Sequence, residues 1–332
     1  MAFGDLRSIL HQPPSHDGWA ALCAALEALS EADHEQATAY ATQQLAPWPD
    51  ALRQLPTHRL IPFLQDHPHP IHALTRALTL DRPPHPTLLA LGSCAQLRPV
   101  RILHISALPS SRDGGDDPLF DATFAHAHLH TLRLERGDCG LAVARALSRA
   151  ALDQLHTLAL DDMAVSRDAA RALSAARLPA LTHLSLAGNH PARAGLASLL
   201  GWPSLPALTH LSLARCQLDR DLAPLLSAAP LPALTSIDLS DNPLGNLGLT
   251  RILDAPWRDQ LQHLTLRGCG LTAEAMRTLA AAQLPALHTL DLSDNPIGDE
   301  GARHLLATSL PHTLRALRCS LSTDLHMRLN KP

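Results

Sequence analysis

From Val100 onward the apolar and polar positions fall into short bursts that recur at one period. In LHTLDLSDNPIGDEGARHLL, residues 287–306, Leu290 and Leu292 alternate with polar neighbours, the period of two of a strand with one buried face. The spacing then opens to that of a short helix closing on Leu305 and Leu306. First-strand positions fall at Val100, Leu129, Leu155, Leu181, Leu208, Leu234, Leu261, Leu287 and Leu314, at spacings of 29, 26, 26, 27, 26, 27, 26 and 27 residues. Leu-Pro-Ala-Leu precedes four of these strands, as at Leu178–Leu181 and Leu284–Leu287. Proline there ends a helix and cannot donate to a strand ladder. Each unit therefore predicts strand, turn, short outer helix and proline stop, stacked into a solenoid.

Residues 1–96 lack this beat and predict a helical N-terminal cap, which an array needs to cover its open end. A short helix is expected over Asp5–Leu10. Trp19, Leu22, Leu26 and Leu29 recur at helical spacing. Ser30 with Asp33 starts the next helix as a capping box, and Pro47 and Pro49 stop it. A helical stretch is expected over Asp50–Leu55, then a connection through Pro62, Pro68 and Pro70, with a degenerate repeat near 71–96 around Leu78 and Leu80. The array spans 97–321 in about nine repeats, and 322–332 form a short C-terminal tail.

Eight residues after the first leucine stands a rung that alternates: Asn189, Cys216, Asn242, Cys269, Asn295. Repeat length alternates with it, 27 residues for asparagine repeats and 26 for cysteine repeats. A unit of about 20–29 residues patterned LxxLxLxx(N/C)xL is a leucine-rich repeat. The strict two-beat series resembles the ribonuclease-inhibitor-like leucine-rich repeats, which alternate Asn and Cys at this rung. That resemblance implies an α/β right-handed horseshoe, a non-catalytic protein-binding role, and structural rather than reactive cysteines. Two departures stand out: the repeats are shorter than those of the family, which questions a full outer helix in each, and Leu108, Gly137 and Met163 occupy the earliest rungs.

Composition narrows the reading. Aromatic residues are 3% against 46% hydrophobic, so the core is leucine and alanine. A net charge of −4 gives no electrostatic case for nucleic acid. Lys331 is the sole lysine, and the Ala, Leu, Pro, His and Arg bias points to a GC-rich, bacterial genome. No secretory leader and no membrane span are expected, and six scattered cysteines suit a cytoplasmic setting better than a disulfide framework.

Candidate chemistry lies on the concave face, at offsets two, four and six from the first leucine. The partner-binding candidates there are Arg133, Glu135, Asp161, His183, His210, Asp238, His263, Arg267, Asp291 and Arg318. Arg133, Arg267 and Arg318 are the anchors that interface energetics favours. His183 and His210 sit in adjacent rows, but Ser185 and Ser212 beside them are poor ligands, so no metal is assigned. His67, His69 and His72, split by prolines, and Asp113, Asp116 and Asp117 read as loop residues. No hydrolase, metalloprotease, phosphate-loop or dinucleotide motif is present, so neither cofactor nor catalytic residue is nominated. The expected function is a scaffold for a partner protein, or alternatively the regulation of one enzyme of the nuclease or GTPase class. Homodimerisation through the last strand's edge is a further expectation.

Overall fold

The computed structural model describes residues 2–109, 118–125, 128–282, 284–307 and 316–318. The tail 322–332 and the acidic segment Asp113–Asp117 lie outside the described residues. Ten strands form one parallel sheet in chain order: β1 (Ala77–Asp81), β2 (Ile102–Ser106), β3 (Thr131–Glu135), β4 (Thr157–Asp161), β5 (His183–Ser185), β6 (His210–Ser212), β7 (Ser236–Asp238), β8 (His263–Thr265), β9 (Thr289–Asp291) and β10 (Ala316–Arg318). Register puts leucine on leucine from row to row: Leu132 pairs with Leu158, Leu158 with Leu184, Leu184 with Leu211. All four are buried. The fold is thus an α/β leucine-rich repeat solenoid.

Every strand from β1 to β9 is followed by an outer helix: α6 (His85–Ser93), α7 (Pro118–Ala125), α8 (Gly140–Arg149), α9 (Arg167–Leu173), α10 (Ala192–Leu200), α11 (Ala223–Ser227), α12 (Gly245–Leu253), α13 (Ala273–Ala281) and α14 (Gly298–Ala307). The short repeats therefore keep their outer helix and shorten it where they must, to five residues in α11. They also shorten the strand. β5 to β9 hold three residues each, so offset-six residues such as Arg267 lie just past the strand rather than in it.

The two-beat rhythm has a backbone cause. Nine rows share a left-handed residue where the strand turns away: Arg82, Ala107, Arg136, Asp162, Gly188, Arg215, Asp241, Gly268 and Asp294. A second left-handed residue follows the rung at once in the 26-residue rows, at Ala164, Gln217 and Gly270, and three residues after it in the 27-residue rows, at Ala192, Gly245 and Gly298. The extra residue of each asparagine repeat is spent on that wider turn.

The N-terminal region carries α1 (Ala2–Leu10), α2 (His16–Glu27), α3 (His34–Gln44), α4 (Leu60–Leu64) and α5 (Pro70–Leu74). Three expectations need correction here. Ser30 does not cap α3: its hydroxyl donates to Asp33 at 2.7 Å, and a 3₁₀ turn over Glu31–Asp33 leads into the helix. Asp50–Leu55 is helical only over Asp50–Leu52, because the proline at Pro56 disfavours helical backbone before it; Gln54 instead bridges to Ala77 beside the first strand. The proline-rich connection holds two short helices, with Pro70 at the start of α5 and Pro62 within the first turn of α4, positions whose missing N–H has no helical acceptor anyway.

Candidate functional site

The rung residues tie neighbouring rows of the sheet together. Each rung asparagine is buried and makes five hydrogen bonds. Asn242 accepts from the backbone N–H of Cys216 and of Leu218 at 2.9 Å each, in the preceding row. Its amide donates to the carbonyls of Leu213, Leu239 and Ser240. Asn189 and Asn295 repeat the pattern, on Met163 and Val165 and on Cys269 and Leu271. The cysteines give less: Cys216 Sγ donates to Leu186 O and Cys269 Sγ to Leu239 O, both at 3.2 Å. Burial pushes the Cys216 thiol up to about 11 and Cys269 to about 12, so neither is a nucleophile near neutrality.

On this frame the candidate columns stand in register. Arg133 pairs with His104 on one side and Ala159 on the other; it is exposed and makes no hydrogen bond or ion pair among the described residues. Glu135 faces His104, with 3.3 Å between Oε1 and Nε2. Asp161 is half-buried, and its carboxylate accepts from the Ser185 hydroxyl and the Ala187 N–H. Burial nevertheless raises its pKa, with Glu135 and Asp162 adding to the shift. The middle of the face carries small side chains, Ala159, Ser185, Ala187, Ser212 and Ala214.

The three proposed arginine anchors are not equivalent. Arg267 is held by Asp294 at 2.6 Å, Arg133 is unpaired, and the Arg318 side chain lies outside what is described. Asp238, in β7, accepts from Ser240, Asp291 lies in β9, and His263 is exposed on β8. Sequence reasoning missed the charged rim at the left-handed position. There Arg215 reaches across Gly188 to Asp162 at 3.0 Å, and Arg136 reaches to within 3.5 Å of Asp81, in each case two rows away. A recurring offset of seven residues, rich in Asp, Arg and Gly, was the available signal.

The histidine cluster of the N-terminal region lines a groove, with His72 in α5. His34 and His69 rings lie 5.1 Å apart and His69 and His72 5.7 Å, centroid to centroid. They line a cleft of about 1130 Å³ with Glu31, Asp66 and Gln96. Burial, and then the Arg59 charge, lower His69 to about 4. Among the described residues no group of three or more His, Cys, Asp or Glu side chains is placed to hold a metal ion, and no helix is long and apolar enough to cross a membrane.

Comparison with known proteins agrees with this architecture. A family model described as Leucine Rich repeat matches residues 232–253 and 283–306. The chain is 35% identical over 157 residues to the ribonuclease inhibitor of Sus scrofa, covering 43% of this chain and 34% of that protein. It is 40% identical over 86 residues to NACHT, LRR and PYD domains-containing protein 3 of Rattus norvegicus, covering 25% of this chain and 8% of the other. The matched segments thus span about a third of the first relative and far less of the second. A chain of the crystal structure of the Rad7 and Elc1 complex in yeast superposes with a TM-score of 0.52 at 16% identity, over 95% of this chain and 81% of that one, a likeness of fold alone. The chain is a leucine-rich repeat protein in fold, and its repeats are similar to those of ribonuclease inhibitor.

Proposed function

We propose that this chain is a non-catalytic scaffold that binds a partner protein on the concave face of its solenoid. The observation that carries this reading is Arg133, an exposed, unpaired guanidinium on a strand whose neighbours are rigidly spaced. The same face changes sign along its length. Asp238, Asp241, Asp291 and Asp294 crowd rows β7 to β9 against the single Arg267, whereas Arg82, Arg133 and Arg136 outnumber Asp81 and Glu135 near β1 to β3. A partner with complementary charge would be steered and oriented by this gradient, and an incoming carboxylate would find a bidentate anchor at Arg133. The similarity to ribonuclease inhibitor supports protein binding in general, while fold by itself does not fix function.

Charge reversal tests the face. Arg133→Glu, Arg267→Glu and Arg318→Glu should each weaken partner binding, Arg133→Glu most, by at least about tenfold. Unchanged affinity in all three removes the concave face as the site. The narrower reading, regulation of one enzyme of the nuclease or GTPase class, draws on the ribonuclease inhibitor similarity; it requires that the captured partner be an enzyme whose rate changes on binding. A cytoplasmic setting, supported by the free, buried Cys23, Cys94, Cys216 and Cys269, and self-association through the β10 end belong to the same proposal. A strict monomer at high concentration rules out the latter.

A further inference from the structure

Five consecutive rows carry a basic residue at the same position, directly ahead of the concave columns. Arg76 N donates to Arg53 O at 2.9 Å, Arg101 N to Arg76 O at 2.7 Å, His130 N to Arg101 O at 2.8 Å and His156 N to His130 O at 2.9 Å. Later rows hold Thr182, Thr209, Thr235, Gln262 and His288 there, so the arginines are confined to the first rows. Rows stand about 4.8 Å apart, so the column runs for about 19 Å. Its guanidiniums lie against carbonyls at the entry to the strands. Arg53 Nε donates to Leu74 O, Arg76 Nη1 to Ala73 O and Thr75 O, and Arg101 Nη1 to His128 O. Nε and Nη2 of Arg76 and Arg101 have no partner among the described residues, and both residues are half-buried. Among the described residues no carboxylate pairs with any of the five; Asp50 bears on Arg53, Arg76 and His130 only from a distance. Arg53 is 5% exposed. Burial, then Arg76, lowers its pKa to about 10, so at neutral pH it stays a buried cation at the head of the column.

We propose that this strand-entry rim binds an acidic, extended segment of the partner protein, with Arg76 and Arg101 holding its carboxylates. The inference rests on the reading that the partner is a protein, and it extends the contact from the concave columns to the rim. The Nε–Nη2 edge of a guanidinium presents two parallel N–H donors, a geometry that matches a carboxylate bidentately. A guanidinium is also more weakly hydrated than an ammonium, which suits a half-buried site. Adjacent rows bring two such edges close together, and Arg53, whose Nη2 is itself unpartnered, adds its charge to the rim. An extended chain carries the side chains of one face about 6.6–6.8 Å apart, so acidic residues at alternate positions spread along the column. Nucleic acid fits less well. The column has three arginines for a backbone charged at every nucleotide, and no Phe, Tyr or Trp stands in it for base stacking.

A short fluorescein-labelled peptide of alternating Glu and Thr tests this by anisotropy against the full chain in low salt. It should bind and then lose affinity as salt rises, since the Debye length shrinks to about 8 Å at physiological ionic strength. The same peptide with Gln for Glu should not bind. Arg76→Gln/Arg101→Gln should weaken binding at least about tenfold, and His156→Glu, at the exposed end of the column, by about threefold. Circular dichroism checks that each variant is folded; if the double variant is not, His156→Glu decides. Arg133→Glu, on the concave face, should leave peptide affinity nearly unchanged. No binding by the wild type, or equal affinity in the wild type and the rim variants, overturns the proposal. So does loss of the peptide in Arg133→Glu alone, or tighter binding of a thymidine oligonucleotide of equal charge. Capture of the native partner that survives Arg133→Glu, while the rim variants lose the peptide, refutes the concave-face reading and leaves the rim standing.

Discussion

The side-chain oxygen of Asn242 lies 2.9 Å from the backbone nitrogen of Cys216, one row back in the array. That bond, with its companion to Leu218 N, makes the asparagine rung a staple between rows, while the cysteine rung offers only weaker sulfur hydrogen bonds. Asn242→Ala leaves several buried backbone groups unpaired at about 1–3 kcal/mol each; with partial rescue by water the loss should be about 3 kcal/mol. Cys216→Ala should lose about 1 kcal/mol. Denaturant midpoints of the two variants measure the difference, and equal midpoints contradict the staple.

Gly188 has φ +70, and a Cβ there would fall on the Asp162 carboxylate. Gly188→Ala therefore meets both backbone strain, about 1–2 kcal/mol, and a clash. In the Asp162→Ala background the clash disappears and the strain remains. The double-mutant cycle should show a coupling of about 1 kcal/mol in the relieving direction; zero coupling means the carboxylate moves aside freely.

The N-terminal helical region should be sensitive to acid. His69 is lowered to about 4 and His72 is lowered by burial. A histidine whose folded pKa lies below its unfolded value favours the fold only while neutral, so its contribution is complete above about 6.5 and fades as pH falls towards 4. Trp19 and Trp48, both buried in that region, report this by fluorescence. His69→Gln should flatten the loss across that window; an unaltered profile shows that other groups drive it.

Asp161 works with the opposite charge sign. Its folded pKa is raised, so the fold disfavours the ionised form, and the penalty grows as pH rises above the ordinary 3.8. Asp161→Asn keeps an acceptor for Ser185 and Ala187 without the charge. It should raise the melting temperature at pH 7 and bring no gain below pH 4. A lower melting temperature at pH 7 shows that the hydrogen bonds to the carboxylate outweigh its burial.

The repeat period, the sheet rows and the alternating rungs were legible in the sequence because one buried leucine face imposes a period of two and one stack imposes a constant length. The turn chemistry behind the alternation was hidden: Ala164 and Gln217 take left-handed backbone that their side chains do not advertise. The N-terminal region was misread around Pro56, Pro62 and Pro70, where proline marks both stops and starts of short helices. On the concave face, position was readable and pairing was not. Arg133 and Arg267 look alike along the chain, yet one is unpaired and the other is bound to Asp294 from the next row.

Cross-linking mass spectrometry of the affinity-captured native complex, with wild type and Arg133→Glu compared side by side, tests the central claim most directly. The account predicts cross-links and exchange protection on the concave residues of β3 to β9, both lost in the variant. Protection confined to the outer helices α8 to α14, and unaffected by Arg133→Glu, contradicts it.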